Sequence, residues 1–158
     1  MGKMTIDATD RKILGLLIRN ARMPFLEIAR ECGISGAAIH QRVKKMEESG
    51  VIRGFRLEVD PRALGYNVSA MIGIRISDPM KNIEIIEGLP KIPEVVECHF
   101  VTGKYNIWTR VYCVDHEHLM HTILDHILRV PGISETETFI SLSDSFGRQV
   151  RVRKEGDE

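Results

Sequence analysis

The feature that most limits how this chain can fold is a three-residue break, Gly33-Ile34-Ser35, between two runs with helical apolar spacing. Phe25, Ile28, Ala29 and Cys32 precede it, and Ile39, Val43 and Met46 follow it, at steps of three and four. Glycine stops a helix because it enters the left-handed region without a Cβ penalty, and Ser35 restarts one by accepting a hydrogen bond from the first free amides. At roughly 100° per residue, Ile39, Val43 and Met46 share a narrow stripe, while Ala37, Gln41, Lys44 and Glu48 fall opposite. One face is core and the other is free. Gly36, Ala37 and Ala38 are small, so the helix N-terminus can approach a phosphate or a base edge. An ordinary core helix with a solvated basic face is the competing reading. The Gly33 turn and Ser35 cap together favour the helix-turn-helix of a DNA reader.

Upstream, Asp7 is placed to cap a first helix, with Asp10 three residues on and Ile13, Leu14, Leu17 and Ile18 as its buried stripe, ending near Asn20. Met23 and Pro24 start the second helix, with proline at its first position, and Gly33 stops it. The third runs from Gly36 to about Ser49, before Gly50. From Val51 to Val59 the period changes, and Ile52, Phe55, Leu57 and Val59 alternating with Arg53, Arg56 and Glu58 predict a strand, a wing beside the reading helix. Arg53 and Arg56 there serve either to meet phosphates or to keep an edge strand from aggregating.

Charge separates the halves. Net charge is zero, yet residues 1–66 hold 12 Lys/Arg and 8 Asp/Glu while the remainder holds 10 and 14. A basic first module suits a polyanion that the acidic second would repel. No apolar run nears the ~20 residues a membrane span needs, and MGKMTIDATD lacks the apolar segment of a secretory signal, so a cytoplasmic location is expected. Cys32, Cys98 and Cys113, odd in number and widely spaced, predict reduced, mostly buried thiols.

Asp60-Pro61 breaks the wing, and residues 61–67 form a linker between a DNA-binding domain, 1–60, and a second domain, 68–143, with 144–158 as a C-terminal strand and tail through Val150 and Val152. The second domain repeats itself. Val68 to Ile76 is a strand with Val68, Ala70, Ile72, Ile74 and Ile76 on one face. Asp78-Pro79 opens a helix of Ile83, Ile86 and Leu89, and Val95 to Thr102 is a second strand. Ile107 to Val114, a helix opened by Asp115 and carrying Leu119, Ile123 and Ile127, and Ile133 to Leu142 follow the same plan. Two β-α-β units joined at Gly103-Lys104-Tyr105-Asn106 predict an α+β chain: a winged helix-turn-helix, then a ferredoxin-like βαββαβ domain with both helices on one sheet face. The uncovered face must carry Val, Ile or aromatic residues, which calls for a partner, and a face-to-face homodimer is the simplest.

DATDRKIL, RECGIS, AAIHQRVKKMEESGVI, VDPRALG and VTGKYNIW, in that order over about residues 4–143, resemble the leucine-responsive/asparagine-regulator (Lrp/AsnC) family of transcription factors. The resemblance implies regulation through double-stranded DNA, dimers able to assemble into octamers, and amino-acid effectors held at subunit interfaces near the turn between the middle strands. Carried over, that turn is Thr102, Gly103, Lys104, Tyr105 and Asn106. Members that bind amino acids commonly have aspartate where this chain has Asn106. The amide keeps an acceptor but loses a charge, removing a charge-assisted hydrogen bond of roughly 1.5–3 kcal/mol to an ammonium group.

The expected DNA contacts are Ser35, Ala37, Ala38, His40, Gln41, Arg42, Lys44, Lys45 and Arg53. Gln41 is suited to pair bidentately with adenine; Lys44 and Lys45 either read guanine or neutralise phosphate; His40 and Arg42 flank the face as backbone contacts. No cofactor or metal is expected: His116, His118 and His121 lack a completing ligand, and Cys98 and His99 point to opposite faces of a strand. Two alternatives remain. One is an enzyme like the haem-biosynthesis decarboxylases, with Arg75, His99 and Arg110 as raw material; the other is an architectural protein with weak base preference and steep salt dependence.

Overall fold

A computed structural model describes residues 5–78 and 82–153 and divides into two compact units, Met1–Glu58 with Phe146–Glu158, and Val59–Ser145. In the first unit, α1 (Ala8–Arg19) opens on a capping box. Asp7 accepts from the Asp10 amide at 2.7 Å, and the Asp10 carboxylate accepts from the Asp7 amide at 3.2 Å. Pro24 is the cap of α2 (Phe25–Cys32) rather than its first residue, its carbonyl accepting from Glu27 and Ile28. Gly33, at φ 67°, ends α2 by donating back to the Ala29 and Arg30 carbonyls, and Ile34 donates to Ala29 at 3.1 Å. Ser35 Oγ then accepts from Ala38 at 3.2 Å to start α3 (Gly36–Glu48).

The core of this unit is Ile13, Leu16, Leu17, Ile28, Ala29, Ile39, Val43 and Met46. Leu16 replaces Ile18 in the expected stripe of α1. Ile18 is exposed, because it lies a further ~100° round the helix from Leu17. The wing strand is a correction too: residues 53–60 run without a ladder partner among the described residues, and Leu57 is 86% exposed. A lone alternating segment is not a strand until a second backbone supplies its hydrogen bonds. The tail is corrected likewise, for residues 143–153 form no strand.

In the second unit the linker is partly ordered, with a 3₁₀ turn at Pro61–Leu64 capped by Asp60 and stopped by Gly65. Strands β1 (Val68–Ile76), β2 (Val95–Phe100), β3 (Ile107–Cys113) and β4 (Ile133–Ile140) form one antiparallel sheet in the order β2-β3-β1-β4. Helix α4 (Asn82–Gly88) leads to β2 and α5 (His116–His121) towards β4. The expected helix opening at Asp78-Pro79 runs into residues 79–81, outside the described ones.

Side chains of β1 and β3 alternate as expected, with Val68, Ala70, Ile72, Ile74, Ile107, Val111 and Cys113 in the core. Helix α4 presents Ile85, followed by Leu89 and Ile92; Ile83, 68% exposed, and Ile86 face outward, against expectation. A stripe through Ile85 and Leu89 is one i, i+4 row, and Ile83 sits ~200° away from it. After α5 the coil widens into a π turn at Thr122–His126. Buried Thr122 donates its hydroxyl to the His118 carbonyl at 2.8 Å, the back-bonding that disturbs helical pitch. Cys113 is buried, Cys32 half-buried and Cys98 exposed, so full burial, expected of most of the thiols, is found for one of the three. Among the described residues no helix is long and apolar enough to cross a membrane.

Candidate nucleic-acid interface and effector turn

Burial of Ile39, Val43 and Met46 fixes the rotation of α3, so its other face is presented to solvent by packing rather than by charge. Ser35, Ala37, His40, Gln41, Lys44 and Lys45 are exposed on or beside that face, as is Arg53 on the segment after α3; Ala38 is half-buried. Gln41 and Lys45 meet no hydrogen-bond or charge partner among the described residues. Lys44 is 3.7 Å from Glu48, a pair so exposed that it is worth a few tenths of a kcal/mol. His40 is less free, its ring packed edge-to-face on Phe25 of α2 at 4.6 Å.

Arg42 has a different task from the flanking contact expected of it. Its Nη1 donates to Asp7 at 2.6 Å and to Asp10 at 2.7 Å, pinning α3 to the N-terminus of α1. The Asp10 amide and Arg42 hold the Asp7 carboxyl below the usual carboxylate range, and Asp7 and Asp10 raise Arg42 in turn. Sequence spacing gave the Asp7–Asp10 box. Nothing local marks a partner 32 residues away.

The second site is the hairpin between β2 and β3. Val101 donates to the Asn106 carbonyl and Asn106 to the Ile74 carbonyl, both at 2.9 Å, while Gly103 takes φ 115°. Asn106 Oδ1 accepts from the Ile76 amide at 3.0 Å, which ties the turn to the end of β1. Tyr105, 8% exposed, lies over Gly73 on the sheet face away from the helices. Trp108 and Glu137 flank Gly73 in cross-strand register. Trp108 meets the Tyr105 ring edge-on at 5.6 Å and Phe139 at 5.3 Å. Lys104 sits 4.9 Å over the Tyr105 ring and pairs with Glu137 at 2.5 Å. Thr102 is exposed. Gly73, Trp108, Glu137 and Phe139 were not anticipated; a glycine inside a strand of branched residues was the available signal for a ring lying on the backbone.

The open face is of the aromatic kind among those expected, without the Val or Ile. It carries Met71, Trp108, Tyr112 and Phe139 among Arg75–Glu135 at 3.3 Å and Arg110–Glu97 at 3.6 Å. Arg75 and Arg110 are thus paired with carboxylates, and His99 is 3.9 Å from Glu97, on an open sheet face rather than a tetrapyrrole cavity. His118 accepts from the Val114 amide and meets Glu94 at 3.0 Å, whereas His121 meets Asp125 at 2.9 Å; the two rings serve different partners.

A capped reading helix with an unspent polar face, followed in the same chain by a βαββαβ domain, defines a DNA-binding regulator with a ligand-sensing module. Comparison with known proteins agrees over both parts. Residues 6–53 match the winged helix-turn-helix DNA-binding model, and residues 69–150 the Lrp/AsnC ligand binding domain. The regulatory protein AsnC of Escherichia coli K12 is 36% identical, with 96% of this chain and 99% of that one covered. The HTH-type transcriptional regulator FL11 of Pyrococcus horikoshii is 35% identical over 89% and 91%. Among solved structures, E. coli AsnC superposes with a TM-score of 0.84 at 36% identity, covering 94% of this chain and 99% of that one. The M. tuberculosis feast or famine regulatory protein complexed with L-methionine superposes at 0.87 and 26%, covering 94% and 100%. The chain belongs to the Lrp/AsnC family of transcription regulators. These relatives are regulators rather than enzymes, and neither the decarboxylase nor the architectural alternative is favoured.

Proposed function

We propose that the chain acts as a homodimer, able to assemble into octamers, that reads double-stranded DNA with α3 and takes an effector of the amino-acid class at Thr102–Asn106. Gln41 reads a base and Lys45 neutralises phosphate; Ser35, Ala37 and Ala38 let the helix N-terminus approach the backbone, and Lys44, His40 and Arg53 lie along its flanks. Arg42 acts on this surface indirectly, by holding the angle between α1 and α3. The observation that carries the proposal is the exposed, unpartnered pair Gln41 and Lys45 on a helix whose opposite face is fully buried. The L-methionine complex of a relative supports an effector of this class. The open sheet face, with Trp108 and Phe139 at its centre, supports face-to-face pairing of two copies. Such a regulator works on the chromosome, in the cytoplasm.

The test is selection of bound sites from a randomised DNA pool by the full chain and by Gln41→Ala. The variant should lose about 1–3 kcal/mol and relax its preference at one base pair per half-site. An unchanged site profile would remove Gln41 from the base-reading role, and no enrichment by the unmodified chain would remove DNA reading altogether.

A further inference from the structure

A cavity of about 340 Å³, open to solvent, lies between the linker turn Pro61–Leu64 and the Ser69 end of the sheet. Asp60, Arg62 and Tyr66 line it from the linker, Ser69 and Tyr112 from β1 and β3, and Asp144 from the segment after β4. Ser69 pairs with Tyr112 in the ladder and precedes Gly73 by four residues, which sets the cavity about 13 Å along β1 from the glycine that Tyr105 covers.

The charged groups of this cavity keep unused capacity of both signs. The Arg62 guanidinium has no hydrogen-bond or charge partner among the described residues, although two carboxylates line the same cavity. Asp60 commits Oδ1 to the Arg62 main-chain amide at 2.9 Å, and Asp144 commits Oδ1 to the Ser141 hydroxyl at 3.3 Å and to Arg110 at 3.6 Å. Oδ2 of each is without a partner among the described residues. Ser69 adds a hydroxyl whose oxygen is screened from solvent and makes no hydrogen bond among the described residues. A buried hydroxyl needs a partner, and an occupant of the cavity can supply it. An anion would satisfy Arg62 and face two carboxylates; a cation would satisfy the carboxylates and face Arg62. A molecule with both charges meets both sets at once. The volume is at the lower end of the range for ligand sites, which suits a compact molecule.

We infer that this cavity is a second ligand site, distinct from the turn at Thr102–Asn106, that takes a small zwitterion of the α-amino-acid class, with its carboxylate on Arg62 and its ammonium group between Asp60 and Asp144. The two sites are independent, so either can fail without the other.

The chain has three tyrosines, Tyr66 and Tyr112 at this cavity and Tyr105 at the turn, so fluorine NMR of the full chain carrying fluorotyrosine separates the two sites. The probes are glycine, acetate and methylammonium, the last two being glycine without its ammonium group and without its carboxylate. Glycine should move the Tyr66 and Tyr112 resonances saturably, and the other two should bind at least about tenfold more weakly. Arg62→Gln and Asp144→Asn, both at exposed positions, should each weaken the glycine response at least about tenfold while leaving the ligand-free spectrum in place. Acetate or methylammonium as effective as glycine, or variants that respond like the unmodified chain, overturns the inference. A glycine response confined to Tyr105 also overturns it while leaving the turn as the effector position, and a response of no tyrosine overturns it too.

Discussion

Gly73→Ala isolates the contact that shapes the turn at Thr102–Asn106 from beneath. A Cβ at this position would stand 2.7 Å from Cγ and Cδ2 of Tyr105 and 2.9 Å from Cδ1. These atoms belong to the root of a rigid ring, not to the end of a flexible chain. Reaching ordinary contact at about 3.5–4.0 Å requires the ring to retreat by roughly 1 Å. Overpacking of this size costs about 1–3 kcal/mol, offset by about 0.5–1 kcal/mol because alanine loses less backbone entropy than glycine in a strand. The net expectation is a destabilisation of about 1–2 kcal/mol. Trp108, the chain's one tryptophan, touches the same ring at 5.6 Å, so urea unfolding followed by its fluorescence reads the affected unit directly. With m near 2 kcal/mol/M, the midpoint should fall by about 0.5–1 M, and the native emission should shift as Tyr105 leaves the indole edge. A double-mutant cycle separates the clash from general strand effects, because in a Tyr105→Ala background the added methyl has space. Its cost there should vanish or become a small gain. If Gly73→Ala costs the same in both backgrounds within about 0.5 kcal/mol, the ring is not what the methyl meets and the account is wrong.

Four further outcomes are expected. Arg42→Ala leaves the buried Asp10 carboxylate without its cation and should destabilise the helical unit by about 1–3 kcal/mol in chemical denaturation, while Arg42→Lys recovers part of the loss. Asp7 titrates below its ordinary value in the folded chain, so its contribution is present above pH ~4 and lost as pH falls through the lowered value; Asp7→Asn should flatten that acid limb of the stability profile. Gly33→Ala puts a side chain at φ 67° and should cost about 1–2 kcal/mol, a fall in Tm of several degrees by circular dichroism. Lys45→Ala should weaken binding to all DNA sequences alike and reduce the slope of log K against log salt by about 1.

What the sequence disclosed was what local rules govern. The Asp7–Asp10 box, the Gly33 stop and the Ser35 cap depend on residues within four positions, and each has the expected geometry. The strands of the second unit were legible because burial on one face writes a period of two into β1 and β3. What failed was non-local. Val51–Val59 has strand composition but no second backbone to pair with among the described residues, so alternation alone overstated it. In α4, three isoleucines within four positions cannot all face inward, and the sheet rather than the sequence selects Ile85. The Arg42 clamp joins residues 32 and 35 positions apart. Asn106 could be placed in the turn from its position, but not the Ile76 amide, 30 positions away, that its Oδ1 accepts from.

The turn at Thr102–Asn106 and the open sheet face are one surface rather than two. Tyr105 belongs to the turn yet covers Gly73 in the middle of the face, and Lys104 reaches across to Glu137 on β4. A ligand at Asn106 that shifts Tyr105 or Lys104 therefore changes the surface a second copy would meet, with Trp108 and Phe139 next in line. By linkage the effect must be equal in both directions: an effector bound tenfold more tightly by the assembled form strengthens assembly by the same factor, about 1.4 kcal/mol, for each effector bound. Sedimentation velocity across a dilution series, with and without a saturating effector, measures one direction, and calorimetric titration at two protein concentrations measures the other. The two factors should agree. Effector binding with no change in the sedimentation profile at any concentration would mean that Tyr105 does not couple the turn to the sheet face.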